Sequence, residues 1–443
     1  MGTMRVSEIL SPRRQRGAAT LLVVMVLFFV MALVAAGAGR SIFYDQKITT
    51  NYGRADVANE AAIAGIDWTF SQLNGLKINS SCTETSSGPD RFAERYLQFT
   101  PTASTDRMDP KLGIGIIARC ASSATGAWTC ECNSNGAINP PTTLPAGKPS
   151  PAFVVRMAYS DRGSTAVVRV FGCTSPLTSS SIGSDTCNAA DQTGRAEGVA
   201  NRVMQIDAGL IPALRVPPAS PLIAQGLVNW GAAGSSALVQ NTDPARNGLI
   251  AQIGDSQSGS TAGLQSLPGT PVQNALITDP GLLNTTLTYD AFFQRFFAMT
   301  PATYRTLPAV RIASCPTGGG DCSSAISTLF TAGARMIWID GNATVSSALT
   351  LGTVGDPAVL IVDGNLQISG GFKSAGVVVA KGALNWTGST AGLDELLGSL
   401  VVGGDTTFTG PVVVNYVYAP LRTLATRRGS FVPAPGSLLN VTL

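Results

Sequence analysis

Residues 13–39 constrain this chain more than any other part of it. Arg13, Arg14 and Arg16 close a short basic leader that ends in Gly17, and the uncharged stretch Ala18–Gly39 follows at once. As a helix, those 22 residues would span about 33 Å, enough to cross the hydrocarbon core of a bilayer. Arginines on the N-terminal flank predict a cytoplasmic leader and an exported body. The same residues admit two other readings, a secretory signal peptide cut near Ala35-Ala36-Gly37 and a plain single-pass anchor. Against the signal peptide stand a run longer than a typical signal core and the pattern that follows it.

That pattern is helical. Ile48, Tyr52, Ala55, Ala62, Ile66, Phe70 and Leu73 fall three, four or seven apart and make one apolar stripe. Asn74-Gly75 is a helix stop, with Gly75 free to take a left-handed cap. We therefore expect one helix from about Ala19 to Asn74, apolar all round in its first half and amphipathic in its second.

Beyond the helix, 443 residues are enough for more than one domain. Only 13% are charged, and 48 Gly with 26 Pro favour a β- and loop-rich body. The net charge of +3 sits largely in the leader, which makes no case for nucleic-acid binding. There is no His, so Ser-His-Asp hydrolysis, His-ligated zinc and imidazole acid–base chemistry are excluded. We expect no enzyme, cofactor or metal.

Eight Cys, at 82, 120, 130, 132, 173, 187, 315 and 322, all lie beyond the apolar stretch. An even count there fits disulfides in an oxidising compartment. Cys173 with Cys187 and Cys315 with Cys322 would close local loops. Cys130 and Cys132 stand too close to bridge each other readily, so each would join Cys82 or Cys120.

Several patches share one layout: Arg16-Gly17 at the end of the leader, then Arg40-Ser41, Asn51-Tyr52-Gly53-Arg54, and Asn59-Glu60-Ala61-Ala62-Ile63-Ala64-Gly65. Over roughly residues 13–75 this resembles the PilX-type minor pilins of type IV pilus systems. The likeness is weaker from Gly194-Arg195-Ala196-Glu197 to Pro212-Ala213-Leu214. The resemblance implies a prepilin cut after Gly17 by a prepilin peptidase and N-methylated at Ala18. It implies residence in the bacterial inner membrane, with the body periplasmic, before entry into an extracellular pilus. Implied partners are the other minor pilins, the major pilin, the inner-membrane assembly platform and a PilY-type tip adhesin. Major pilins carry Glu at the fifth mature position, which here is Leu22. That carboxylate neutralises the ammonium of the subunit ahead, and either charge buried alone would cost several kcal/mol or so. A subunit with none ahead has no need of it. Leu22 therefore fits a tip or initiating subunit, a property shared with the GspK-like tip pseudopilins of type II secretion; simple divergence gives the same residue.

After the helix, Phe153–Tyr159 and Ala166–Phe171 flank Asp161-Arg162-Gly163, a hairpin signal. Val199, Val203 and the alternation up to Ile206 predict a further strand, and residues 139–151 a linker or long surface loop. Nearer the C-terminus, four segments share a Gly followed four residues later by an apolar side chain: Gly341 and Val345, Gly364 and Ile368, Gly382 and Trp386, Gly404 and Phe408. Gln225–Gly231 is an earlier copy. Repeats of about 20 residues with a short strand each predict β-solenoid coils. Tyr289–Met299 reads as a buried amphipathic helix. Asp340 and Asp363 hold equivalent repeat positions and are expected to cap local backbone in turns. A solenoid that binds or cleaves glycans behind an ordinary signal peptide is the remaining alternative. Thr317–Asp321 lacks the Lys-Ser/Thr of a phosphate loop.

The expected fold class is α+β: leader 1–17, stem helix 18–75, an antiparallel pilin-like head at 76–214, and a β-solenoid-like domain at 215–443 with an insert near 245–335.

Overall fold

The computed structural model describes residues 16–101, 106–111, 117–122, 127–132, 151–160, 162, 164–174, 187, 200–234, 237–278, 287–316, 320–389 and 394–441. Arg13, Arg14, the stretch 139–150, the patch 194–199, the turn residues Asp161 and Gly163, and Thr317–Gly319 lie outside them. The chain is α+β, a long N-terminal helix followed by a large β-rich part with sheets of both kinds.

Helix α1 runs unbroken over Arg16–Leu73, about 87 Å of rod. Ala, Leu and Met are 12 of the 22 residues Ala18–Gly39 and favour helix. Farther on, the hydroxyls of Thr49, Thr50 and Thr69 bond back to carbonyls one turn earlier. Its end differs from expectation. Gly75 does not take the left-handed conformation. Instead Asn74 folds its side-chain amide back to the Phe70 carbonyl at 2.8 Å, and the Glu84 carboxylate accepts the Leu76 N–H at 3.0 Å.

The second half of α1 lies on an antiparallel sheet. Its strands run in the order 429–433, 201–212, 165–173, 152–159, 118–122, 128–131, with Leu439–Val441 also pairing to 201–212. The predicted hairpin is two of these strands, Ala152–Tyr159 against Thr165–Cys173. A small hairpin, Leu97–Pro101 with Asp106–Pro110, follows the short helix α2 (Phe92–Tyr96). The last strands correct the expected division of the chain. Gly429–Pro433 and Leu439–Val441 return to the sheet beside α1, so the segment between Pro212 and Gly429 is inserted between two neighbouring strands.

That inserted segment holds two sheets in which every pairing is parallel. The expected equivalent positions are in register: Val345 beside Ile368, Ile368 beside Trp386, Trp386 beside Phe408. The early copy falls beyond the last one, with Val228 paired to Thr406 and the Trp230 ring stacked 6.2 Å from Phe408. The chain thus enters the stack in its middle, lays Leu222–Ala224 against Leu400–Val402, builds outward to Leu276–Thr278, and then restarts at the opposite edge with Val310–Ile312 and returns to the middle. Ala251–Thr278, inside the segment expected as an insert, adds a further parallel layer. Strands such as Ala358–Val362 are buried on both faces, which is why they read as continuous apolar runs.

Four helices cover the outside. α3 (Tyr289–Phe297) and α4 (Pro301–Arg305) pack Phe292, Phe293, Phe296, Phe297 and Tyr304 against Trp338, Ile361, Val379 and Val401. α5 (Ser323–Thr331) lies against the strands at 336–339 and 349–351. α6 (Tyr418–Thr426) adds Leu421 and Leu424 to the same outer layer as α3.

Candidate functional site

From Ala19 to Gly53 every side chain of α1 is exposed. Thirteen large apolar side chains between Leu21 and Val34 are each more than half exposed. Burying such a side chain is worth about 1.5–3 kcal/mol, so this surface demands lipid or neighbouring helices. By length and composition α1 can cross a membrane. Gly17 and Ala18 lie in its first turn, and Leu22 is 65% exposed. No carboxylate occurs in the helix before Asp45.

The stripe predicted along α1 is buried only in part. Ile48 and Tyr52 are exposed, and burial begins at Ala58. From there Ala62, Ile66, Phe70 and Leu73 join Phe153, Val155, Val168, Val170 and Ile206 in one core. The small residues of the Ala61-Ala62-Ile63-Ala64-Gly65 patch gain a physical reason. A Cβ on Gly65 would lie 2.5 Å from Val170, and one on Gly172 would lie 2.2 Å from the Ala58 carbonyl oxygen. Helix and sheet approach so closely that only these residues fit.

At its far end α1 meets both the antiparallel head and the parallel body. Arg428 donates to Glu94 and to Asp356, each at 2.9 Å. Arg335 holds Asp356 at 2.6 Å, and Arg91 holds Glu94 at 2.7 Å. Asp106, wholly buried, takes Arg427 at 2.6 Å, Thr426 at 2.8 Å and Arg422 at 3.3 Å. Arg311 donates to the Asn74 carbonyl at 2.8 Å, and the Lys77 N–H donates to Ala332. Sequence reading missed this network because its members lie hundreds of residues apart.

The network sets a pH dependence. Burial pushes the Glu94 carboxyl up, but the Arg91 hydrogen bond and the charges of Arg91 and Arg428 outweigh it and bring the group down to about 2. Asp106 and Asp356 are also lowered, burial being outweighed by Arg427 with Thr426 and by Arg335. A depressed carboxylate adds stability that is full above its unfolded pKa and lost as pH falls through the folded one. For Glu94, whose ordinary value is 4.5, the window runs from there down to about 2. Its share is about 2–3 kcal/mol after allowance for its exposed part. With no His, thermal unfolding followed by circular dichroism should give a midpoint that is flat from pH 8 to 5 and falls below about pH 4.5.

All eight Cys are bonded: Cys82–Cys132, Cys120–Cys130, Cys173–Cys187 and Cys315–Cys322. Asp340 and Asp363 do not cap backbone as expected. Asp340 takes a two-pronged Arg305 at 2.8 and 2.7 Å and the Trp338 indole N–H at 2.8 Å. Asp363 pairs with Lys381 at 2.9 Å. Neither is a free carboxylate. Backbone capping falls to their neighbours: Asn342 accepts from the Asn365 N–H, and Asn365 from the Ala383 N–H, each at 2.8 Å. The acidic series ends at Asp363: Lys381 takes the next equivalent position, and at the one after it a Cβ on Gly403 would lie 2.4 Å from the Lys381 carbonyl oxygen and 2.7 Å from the Tyr289 ring. Among the described residues no group of three or more His, Cys, Asp or Glu could hold a metal ion.

No family model and no curated protein matches the chain. Among solved structures, the competence-associated pilin ComZ from Thermus thermophilus is matched over 89% of this chain and 96% of that one, at 11% identity and a TM-score of 0.22. A superposition of that quality carries no weight for fold or role.

Proposed function

We propose that the protein is a non-enzymatic minor pilin of the PilX type, placed at or near the tip of a type IV pilus. The observation that carries this reading is the unbroken helix Arg16–Leu73. Its bare apolar half and its head-packed half are one rod, so a signal-peptide cut near Gly37 would sever a continuous element. Processing after Gly17 and methylation at Ala18 would keep the rod whole. The membrane then holds the apolar half until neighbouring stems replace the lipid. Before assembly the head and body would stand in the periplasm.

Two further features favour the tip. Leu22 leaves the apolar half without a carboxylate to meet an ammonium ahead of it. The parallel body, which we read as a β-solenoid built into the head between Pro212 and Gly429, is about half the chain. Such bulk obstructs side-by-side packing of heads along a fibre, and a subunit at the end escapes that conflict. The solenoid would be the part presented to a PilY-type adhesin or another partner.

Mass spectrometry of the mature N-terminus, from membranes of the native host, tests the reading. The expected result is N-methylated Ala18. A terminus between Gly37 and Arg40 would sink it, together with the argument from Leu22.

A further inference from the structure

We propose that the cavity where the stem helix meets head and body binds one small tetrahedral oxyanion of the phosphate or sulfate class. The cavity measures about 70 Å³ and is lined by Asn74, Arg91, Glu94, Arg335, Arg427 and Arg428, among others. Charge is the first argument. Three guanidinium groups, Arg91, Arg335 and Arg428, share two carboxylates, Glu94 and Asp356. Arg427 is taken up by Asp106, which also meets Arg422. Within this set the guanidinium groups outnumber the carboxylates by one, and Glu84, an exposed carboxylate beside the lining, already accepts the Leu76 N–H. An uncompensated charge in such a place is costly, and a cation there would make it worse.

Unused donors are the second argument. The Nε atoms of Arg91 and Arg428 are both buried, and neither has a hydrogen-bond partner. The remaining guanidinium nitrogens of Arg428 are committed to Glu94 and Asp356, and Arg335 is committed to Asp356 and to the Phe330 and Ala334 carbonyls. A buried donor without an acceptor costs about 1–3 kcal/mol. Water could satisfy the donors but not the charge. An anion answers both needs, and a planar guanidinium is suited to oxyanions. Arg428 is itself lowered, first by burial and next by the charge of Arg91, a repulsion that an anion would relieve. The stem helix ends at this cavity with its carbonyls, but that of Asn74 is already taken by Arg311.

Size is the third. A buried water needs about 10–15 Å³ of such space, so the cavity has room for about five to seven waters, enough for one phosphate or sulfate ion. Walls from 73–76, 91–99, 309 with 333–336, and 427–431 line it, and its open side admits a small oxyanion from solvent.

The test uses the purified full chain in detergent micelles. Thermal unfolding is followed against sodium phosphate and sodium sulfate, with ionic strength held constant by sodium chloride. The expected result is a midpoint that rises by several degrees and saturates at millimolar oxyanion. Arg91→Lys and Arg428→Lys keep the charge and remove the Nε–H, and each should weaken the apparent affinity about tenfold, the loss of one charge-assisted hydrogen bond. If Arg428→Lys fails to fold, Arg91→Lys decides. A midpoint that follows ionic strength alone, saturation by chloride, or an Arg91→Lys chain that binds like the parent would each overturn the proposal.

Discussion

Gly398→Ala is expected to unfold the parallel-stranded body, or to lower its stability by about 4 kcal/mol or more. Gly376 and Gly398 occupy one rung of the stack, in register with Ala358. Their φ angles are 129° and 150°, a backbone region that side chains with a Cβ rarely enter. Space is the second obstacle. A Cβ on Gly398 would lie 1.9 Å from the Gly376 carbonyl oxygen, and one on Gly376 would lie 2.0 Å from that of Ala358. Those oxygens belong to central strands and cannot withdraw without breaking the ladder. Gly371→Ala is the control, because a Cβ there meets nothing within 4 Å. Chemical denaturation followed by intrinsic fluorescence should report a large loss for Gly398→Ala and almost none for Gly371→Ala. Equal behaviour of the two would show that the rung tolerates a methyl group.

The rung also marks where the repeat was legible and where it was not. Gly341, Gly364, Gly382 and Gly404 announced themselves by sitting four residues before Val345, Ile368, Trp386 and Phe408. For Gly364, Gly382 and Gly404 the role is close approach: a Cβ on Gly382 would lie 2.1 Å from the Asn365 side-chain oxygen that caps the next layer, whereas Gly341 has open space and a φ of 76°. Gly376 and Gly398 carry a stricter demand but stand inside the apolar strands Phe372–Ala380 and Asp394–Val402. Nothing in those runs separates them from ordinary small residues. Local patterns thus revealed the strands and the register of successive copies. The order of the layers was hidden, because placing Leu222–Ala224 beside Leu400–Val402 joins residues nearly two hundred apart.

The stem was legible for a different reason. Apolar composition and helical spacing are local, so α1 could be drawn almost to its end. Whether Ile48 and Tyr52 are covered depends on what else reaches them, and among the described residues nothing does. The ionic joint was invisible for the same reason. Glu94, Asp356 and Arg428 pair only once the last strands have come back to the head.

Asn74 clasps that return on the side away from strand 201–212, and Asn74→Ala should loosen it. Asn74 is buried, and its amide acts as a short piece of strand: Nδ2 donates to the Phe431 carbonyl and Oδ1 accepts the Phe431 N–H, each at 2.8 Å. Phe431 meanwhile pairs with Leu210 on its other side. Alanine would strand both Phe431 groups in a buried setting, at a cost of about 2–4 kcal/mol. Asn74→Asp should also loosen it, since it keeps the acceptor but loses the donor to the Phe431 and Phe70 carbonyls. Amide hydrogen exchange at Phe431 separates this account from a general loss of stability. If the amide is the clasp, exchange at 429–433 accelerates far more in Asn74→Ala than exchange in the neighbouring strands 152–159 and 165–173. Uniform acceleration, or none, would mean that the return of the chain is fixed by the rest of the sheet and that Asn74 is no clasp.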